Sequence, residues 1–507
     1  MEGSKSIATR TPGLFLALVP ILVLVALLTI NVIFYGDMAT SGPNQIALII
    51  AAAAAAIVGI YLGFPFKKLL QGAVNSISAS MSAILILLLI GALAGTWLIS
   101  GIVPAMIYYG LQVLNPTIFL FATVIVCSVV SVATGSSWST VATVGIALLG
   151  IGKALNLHEG LIAGAIISGA YFGDKISPMS DTTNLAPAMA GTDLFTHIRY
   201  MMYTTVPSVI IALLIFLGIG VFTDHVTSAE NTDALARAIQ GKFNINPLLF
   251  LVPALVIYMI IKKVNAIPAL LIGTVLGGVF AMIFQPHIIK EVAGPAGDYA
   301  KQSYMALMNA MGGEVSVQTD NAIATDLLKS RGMFGMLNTI WLILSALSFG
   351  GIMEEAGLLH RITRPMVKRA KSNGALVATT AGSCMFVNVT ASDQYLSIVV
   401  PGKMFAATYK ERKLAPQNLS RTLEDSGTVT SVLVPWNTCG ATQSAVLGVS
   451  TFIYAPFCFF NIISPFMTIF FAYMGIKIAK LSPWQASKVH PANISDEPED
   501  KPVDYIQ

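Results

Sequence analysis

Apolar runs of about twenty residues, separated by polar breaks, recur along almost the whole chain, and each is long enough to cross the hydrocarbon of a bilayer as a helix. The pattern predicts spans at 13–35, 43–62 and 81–100, a pair at 115–133 and 138–155, then 158–173 and 201–222. The second half predicts spans at 246–262, 266–285 and 334–353, a pair at 374–390 and 394–408, and two more at 427–446 and 449–477. Gly and Pro interrupt several of them, as membrane helices tolerate where neighbours satisfy the freed backbone groups. The first run, Leu14 to Phe34, is too long for the core of a signal peptide, and no small-residue cleavage site follows it. It is expected to remain as a helix.

Composition sharpens this picture. Of 507 residues, 55% are hydrophobic and 11% charged, against roughly 25% charged in an average soluble domain. That balance predicts an all-α polytopic membrane protein with no separate soluble domain. The net charge of +4 reads as membrane topology, because no basic stripe interleaved with aromatics offers a nucleic-acid surface. Cys127, Cys384, Cys439 and Cys458 fall in apolar segments without metal-ligand spacing and read as small core residues. No Walker-type loop, phosphate loop or nucleophile–base pair is evident, which argues against an ATP-driven pump or an enzyme.

The two halves resemble each other. Val132-Ala133-Thr134-Gly135-Ser136-Ser137-Trp138 parallels Val389-Thr390-Ala391-Ser392-Asp393-Gln394-Tyr395, and Ser180-Asp181-Thr182-Thr183 before Pro187 parallels Glu424-Asp425-Ser426-Gly427-Thr428 before Pro435. If each polar pair is a re-entrant hairpin, each repeat has about five membrane helices plus that hairpin and an interrupted helix, and the second repeat is inverted. With a cytoplasmic N-terminus, most of the 29 Lys and Arg then fall on the cytoplasmic side, including Lys67, Lys68, Lys262, Lys263 and the Arg361–Lys371 cluster. Counting the pairs as full spans would move Lys262, Lys263 and that cluster outside, so hairpins are the better fit. The resulting plan is a cytoplasmic N-terminus at 1–12, a first repeat at 13–222 and an external connection at 223–245. A second repeat at 246–480 carries an external loop at 286–333, and a disordered acidic cytoplasmic tail occupies 481–507.

Carboxylates at bilayer depth are costly and therefore point to function. The hairpin tips, Thr134–Trp138 and Thr390–Tyr395, reach mid-membrane in this plan, and the following helices are expected to unwind at Gly173–Pro187 and near Glu424–Gly427. Asp181 and Asp425 form the apparent symmetric pair, and Asp393 is a charge carried by the second tip alone. Asp174, followed by Lys175, reads as an ion-pair partner, an interfacial group or a ligand. Glu424 either shares a proton with Asp425 or faces the cytoplasm. Hydroxyls of Thr134, Ser136, Ser137, Thr182, Thr183, Thr390, Ser392, Ser426 and Thr428, with the Asn184 amide, would complete an oxygen environment for a hard cation. A buried carboxyl that accepts either a proton or a cation would couple the two. Asp193, His197 and Arg199 read as cytoplasmic surface, Glu354 and Glu355 as an interfacial pair. No Arg falls in the core of a predicted span, which tilts against an anionic substrate.

Tyr171-Phe172-Gly173-Asp174-Lys175-Ile176-Ser177-Pro178-Met179-Ser180-Asp181-Thr182-Thr183-Asn184-Leu185-Ala186-Pro187, continuing to Phe195, resembles the NhaC family of Na+/H+ antiporters, and Ala133–Trp138 fits as well. The resemblance extends from the first helix to about Lys480. It implies a secondary transporter of the bacterial inner membrane, with inverted repeats and paired hairpins, exchanging Na+ for H+. Exchange coupled to small organic acids, as in a malate–lactate antiporter, is the alternative it leaves. No cofactor is implied beyond the transported Na+ and H+. The bilayer is the partner, with a small organic acid and a second copy of the chain as further candidates.

Overall fold

The computed structural model describes residues 11–113, 115–222, 229–262, 264–295, 297–362 and 371–481. Within them the chain is almost wholly helical, with one short antiparallel pair, β1 (Val315–Ser316) and β2 (Lys329–Ser330). The first half contains α1 (Leu14–Tyr35), α2 (Pro43–Tyr61), α3 (Phe66–Ala79), α4 (Met81–Ile99), α5 (Ile102–Val113) and α6 (Pro116–Thr134). It continues through α7 (Ser137–Thr140), a π-helical turn at Val141–Gly145, α8 (Ile146–Ala154), α9 (Glu159–Ile176), α10 (Asp181–Ala190) and α11 (Leu194–Phe222). The connecting segment carries α12 (Ala229–Lys242), followed by α13 (Leu251–Ile261) and α14 (Ala266–Phe284). The long polar stretch folds into α15 (Pro286–Ala293), α16 (Tyr299–Gly312), α17 (Ala322–Leu327) and the β pair. Then come α18 (Leu337–Glu355), α19 (Asn373–Thr390), α20 (Gln394–Glu411), α21 (Gln417–Leu423), a π-helical turn at Glu424–Thr428, α22 (Thr438–Leu447), α23 (Thr451–Tyr454) and α24 (Phe459–Tyr473).

Among the described residues seven helices are long and apolar enough to cross a membrane, or nine if two bent pairs each count as one span. Their outer faces carry exposed apolar side chains such as Phe15, Ile33, Val129, Leu214 and Ile283. Such a surface needs lipid rather than water around it. The protein is therefore a multi-pass membrane protein. The helices of the two halves interlock: α18 lies against α2 and α3, and α4 against α14.

Close approach of α6 and α9 sets the centre. Gly169 and Gly173 stand one turn apart on α9, the small-xxx-small spacing that lets membrane helices touch through their backbones. A Cβ on Gly169 would lie 2.3 Å from the Val124 carbonyl oxygen, and one on Gly173 would lie 2.6 Å from that of Ser128. The Ser131 hydroxyl donates across the same seam to Ala170 O at 2.5 Å. This contact delivers the C-terminal end of α9, with Asp174 and Lys175, to the tip that follows α6.

The structure differs from the sequence reading in several places. The expected span at 427–446 is not one helix: the chain breaks at Val434–Asn437 before α22. Pro435 sits in that break and Gly440 immediately after it, where a Cβ would strike the Val434 carbonyl oxygen at 2.0 Å. Helices α3 and α5 were not expected, because their amphipathic or short apolar stretches fall below the twenty-residue rule. The 286–333 stretch is a folded unit, not a bare loop: Ala306, Ala310, Val315, Val317, Ala324 and Leu328 join the main hydrophobic core. Residues 1–10, 363–370 of the basic cluster and 482–507, including the acidic tail, lie outside the described residues.

Replacing Gly173 by Ala should destabilise the protein by about 1–3 kcal/mol through overpacking against α6. Gly218→Ala on α11, where nothing lies within 4 Å of the new Cβ, should be neutral or stabilise by up to about 1 kcal/mol. Thermal unfolding of the purified variants in detergent checks both.

Candidate functional site

Each half turns a sharp tip and folds it against a later break in the helices. The first tip follows α6 at Gly135 (φ 67°), and the second follows α19 at Ser392 (φ 60°). Both backbones are left-handed, which costs about 1–2 kcal/mol at a non-glycine such as Ser392. A Cβ on Gly135 would meet Met179 at 2.6 Å, so the first tip rests on the break between α9 and α10. At the second tip Ser392 O accepts from Thr438 N at 3.0 Å. Asn437 Nδ2 donates to Asn388 at 3.1 Å, and Trp436 Nε1 to Val389 O at 2.8 Å. The second tip therefore rests on the break before α22.

Two pairs of sequence neighbours, Asp174–Lys175 and Glu424–Asp425, meet between these tips. Lys175 Nζ donates to Asp425 Oδ1 and, at 2.9 Å, to Ser464 Oγ, with the Phe460 ring 5.4 Å away. Thr204 Oγ1 donates to Asp425 Oδ2 at 2.8 Å, and neither charged side chain has any exposure. The preceding residues face elsewhere. Asp174 Oδ2 accepts from Ser137 Oγ at 2.7 Å and Ser137 N at 3.1 Å, and the Ser180 hydroxyl lies beside the same carboxyl. Ser180 Oγ lies 3.2 Å from Thr182 Oγ1, which donates to Glu424 Oε1 at 3.1 Å. Two buried carboxyls, Asp174 and Glu424, are thus joined through two hydroxyls. Among the described residues Glu424 Oε2 has no hydrogen-bond partner, nor do the buried hydroxyls of Ser426 and Thr428.

The π-helical turn explains why those oxygens are open. A π-turn displaces backbone carbonyls from the regular ladder, and such turns recur at functional sites. Here Asn388 Nδ2 takes Gly427 O at 2.7 Å, while Thr430 and Ser431 hydroxyls take the Ser426 and Thr428 carbonyls at 2.5 and 2.6 Å. These backbone carbonyls are satisfied by neighbours, and Glu424 Oε2 and the Ser426 and Thr428 hydroxyls remain available.

The expected residues distribute unevenly. Asp181 opens α10 and is exposed, as is Asn184, whose amide donates to Ser180 O at 2.7 Å. Asp425 is not its structural counterpart: it precedes the second break by nine residues and lies in a π-turn, whereas Asp181 follows the first break. The chain is helical through Ile176 and again from Asp181, so only Ser177–Ser180 is unwound, and Glu424–Gly427 is not. Asp393 caps α20, accepting from Leu396 N at 2.9 Å, with Ser80 Oγ at 3.4 Å. Thr183 Oγ1 donates to Lys175 O at 2.9 Å, and Thr390 Oγ1 to Phe386 O at 2.8 Å. Thr134 Oγ1 lies 3.3 Å from Thr140 Oγ1, and Ser136 caps α7 by accepting from Ser139 N at 3.2 Å. The Ser392 hydroxyl is buried without a partner. Sequence reasoning missed Ser180 and Ser464, and it missed Lys175 as the partner of Asp425. It also missed Arg421, which is fully buried on α21, and set His197 at the surface, where it is instead buried against Ser420. The argument against an anion from the lack of a core Arg therefore falls. Asp193 and Arg199 are exposed, as expected.

Asp425→Asn should leave Lys175 as an uncompensated buried charge and cost about 3–5 kcal/mol. Lys175→Met combined with Asp425→Leu should recover most of that loss, as read by thermal unfolding in detergent.

Relatives of known name match most of the chain. A "Na(+)/H(+) antiporter NhaC" of Alkalihalophilus pseudofirmus is 37% identical over 436 residues, 86% of this chain and 91% of that relative. A "Malate-2H(+)/Na(+)-lactate antiporter" of Bacillus subtilis is 36% identical over 467 residues, covering 92% and 96%. A "Na(+)/H(+) antiporter NhaC" of the same organism is 36% identical over 434 residues, covering 85% and 92%. The family model for the Na+/H+ antiporter family matches residues 169–476, a stretch that begins at the glycine seam of α9 and runs through both breaks: the chain belongs to the Na+/H+ antiporter family.

Proposed function

We propose that this protein exchanges Na+ for H+ across the bacterial cytoplasmic membrane by alternating access, with Glu424 as the group that holds either ion. The observation that carries the reading is the bare Oε2 of Glu424, in a carboxyl whose other oxygen is tied through Thr182 and Ser180 to Asp174. An ionised carboxylate buried without a counter-charge is strongly unfavourable. Glu424 is therefore stable with a proton or against a cation, and one occupant displaces the other. Na+ is a hard cation that favours oxygen ligands. Around Glu424 it would meet the Thr182 hydroxyl, the neighbouring Thr428 hydroxyl and the open Ser426 hydroxyl. Asp425 is a poorer exchange group than the sequence suggested, because Lys175 already neutralises it.

Asp174 and the Ser180–Thr182 hydroxyls serve in this reading as the proton path away from Glu424. A cavity of about 760 Å3, lined by Lys153, Glu314, Asp326, Arg331 and Asn338, reaches Pro435 in the second break. The tip-on-break contacts recur in both halves, which supports two inverted repeats rocking about a central site. Cytoplasmic termini and a homodimer complete the proposal; crosslinking in native membranes tests the dimer.

Glu424→Gln should lower Na+-driven proton flux in reconstituted vesicles at least about tenfold, the equivalent of ~1.4 kcal/mol, while Asp181→Asn should retain exchange with the same Na+ dependence. Full flux in the Glu424 variant would reject the assignment. Competition at one carboxyl also predicts that the apparent KM for Na+ rises as pH falls, approaching about tenfold per pH unit for each proton displaced. A KM independent of pH would mean that the two ions use separate groups. The organic-acid alternative, which the B. subtilis relative's name raises, is decided in the same vesicles: proton movement that required malate or lactate would favour it.

A further inference from the structure

Arg421 is a fully buried guanidinium for which no carboxylate provides a partner among the described residues. Its Nη1 reaches Lys477 O at 3.4 Å, a weak contact, and the Tyr200 ring covers one face at 4.6 Å. Nε and Nη2 have no hydrogen-bond partner among the described residues. These two nitrogens form one edge of the guanidinium, with their N–H groups pointing the same way. That edge is the fork that receives a carboxylate through two parallel hydrogen bonds. An Arg side chain stays protonated in any protein environment, so the charge cannot be shed as a buried Lys would shed it.

Side chains of α11 pack on the same segment. His197 and Tyr200, one turn apart on α11, both face α21. His197 Nδ1 bonds Ser420 Oγ at 2.8 Å, and its Nε2 is bare and buried. The two acids nearest in sequence point elsewhere: Glu424 Oε1 accepts from Thr182, and Asp425 is held by Lys175. The segment after α24 runs over this group as a strap. Ala415 N donates to Ala479 O at 3.0 Å, Asn418 Nδ2 donates to the same oxygen at 2.7 Å, and Ala479 N donates to Tyr200 OH at 3.1 Å. A ligand would enter by lifting that strap.

We infer that the Nε–Nη2 edge of Arg421, under the 477–481 strap and beside His197, is a binding site for a small carboxylate solute. The site is separate from the Glu424 site, and its occupancy can be read without any transport, so it stands or falls independently of Na+/H+ exchange.

The test is thermal unfolding of the purified full-length protein in detergent, titrated with sodium acetate or sodium succinate against sodium chloride at matched Na+ and ionic strength. A ligand that binds only the folded state raises the melting temperature with its concentration. The expected result is a rise with the carboxylates and not with chloride. Arg421→Lys, which keeps the charge and loses the fork, should weaken apparent affinity at least about tenfold. Equal shifts from chloride and the carboxylates in the wild type would overturn the inference without reference to any variant. So would a carboxylate shift of undiminished affinity in Arg421→Lys. Should that variant not fold, His197→Gln serves in its place: a weakened carboxylate shift supports the site, and an unchanged one removes His197 from it and overturns the inference as stated.

Discussion

The ion pair between Lys175 and Asp425 joins the two halves of the protein at a point that water does not reach. A charged pair there is stable only when both members are present and their remaining hydrogen bonds are filled, which Ser464 and Thr204 do. Its main consequence is orientation. Consecutive residues on a helix point about 100° apart, so fixing Lys175 turns Asp174 toward the first tip, and fixing Asp425 turns Glu424 toward Thr182. Two acidic groups are held in place by their sequence neighbours. The hydroxyls of Ser180 and Thr182 then close the distance between them.

This geometry separates two roles that the sequence left together. Asp425 supplies a charge paired with Lys175 that fixes the frame. Glu424 supplies a carboxyl with an open oxygen, the one on which the proposed exchange rests. The π-turn at Glu424–Thr428 serves both roles, because it sets successive side chains off the regular helical repeat while Asn388, Thr430 and Ser431 satisfy the displaced carbonyls. Backbone irregularity at membrane depth is tolerated here because protein groups surround it.

A second concentration of charge lies at Arg421, one turn before Asp425. Its burial under the strap at Lys477–Leu481 puts a cation without a carboxylate partner among the described residues beside the end of the helical core, whereas open carboxyl and hydroxyl oxygens lie at Glu424, Ser426 and Thr428. The protein thus contains two chemically opposite environments on one short stretch, Arg421 to Thr428.

The sequence by itself determined the membrane class, most helix positions and the polar tips, because burial of backbone in lipid demands long apolar helices and marks each exception to them. It also delimited the stretch from Asp174 to Thr183 and the stretch from Glu424 to Thr428 as chemically unusual. It could not rank the carboxylates within those stretches. Residues 250 positions apart, such as Lys175 and Asp425, become partners only when α9 is seated against α6 and α24, and no local pattern encodes that register. The apparent match of Asp181 with Asp425 failed for the same reason: similar composition around the breaks concealed a different helical phase. Whether a buried charge is compensated is a property of contacts across helices, so only the tertiary structure decided that Asp425 is paired, Glu424 is open and Arg421 is unmatched.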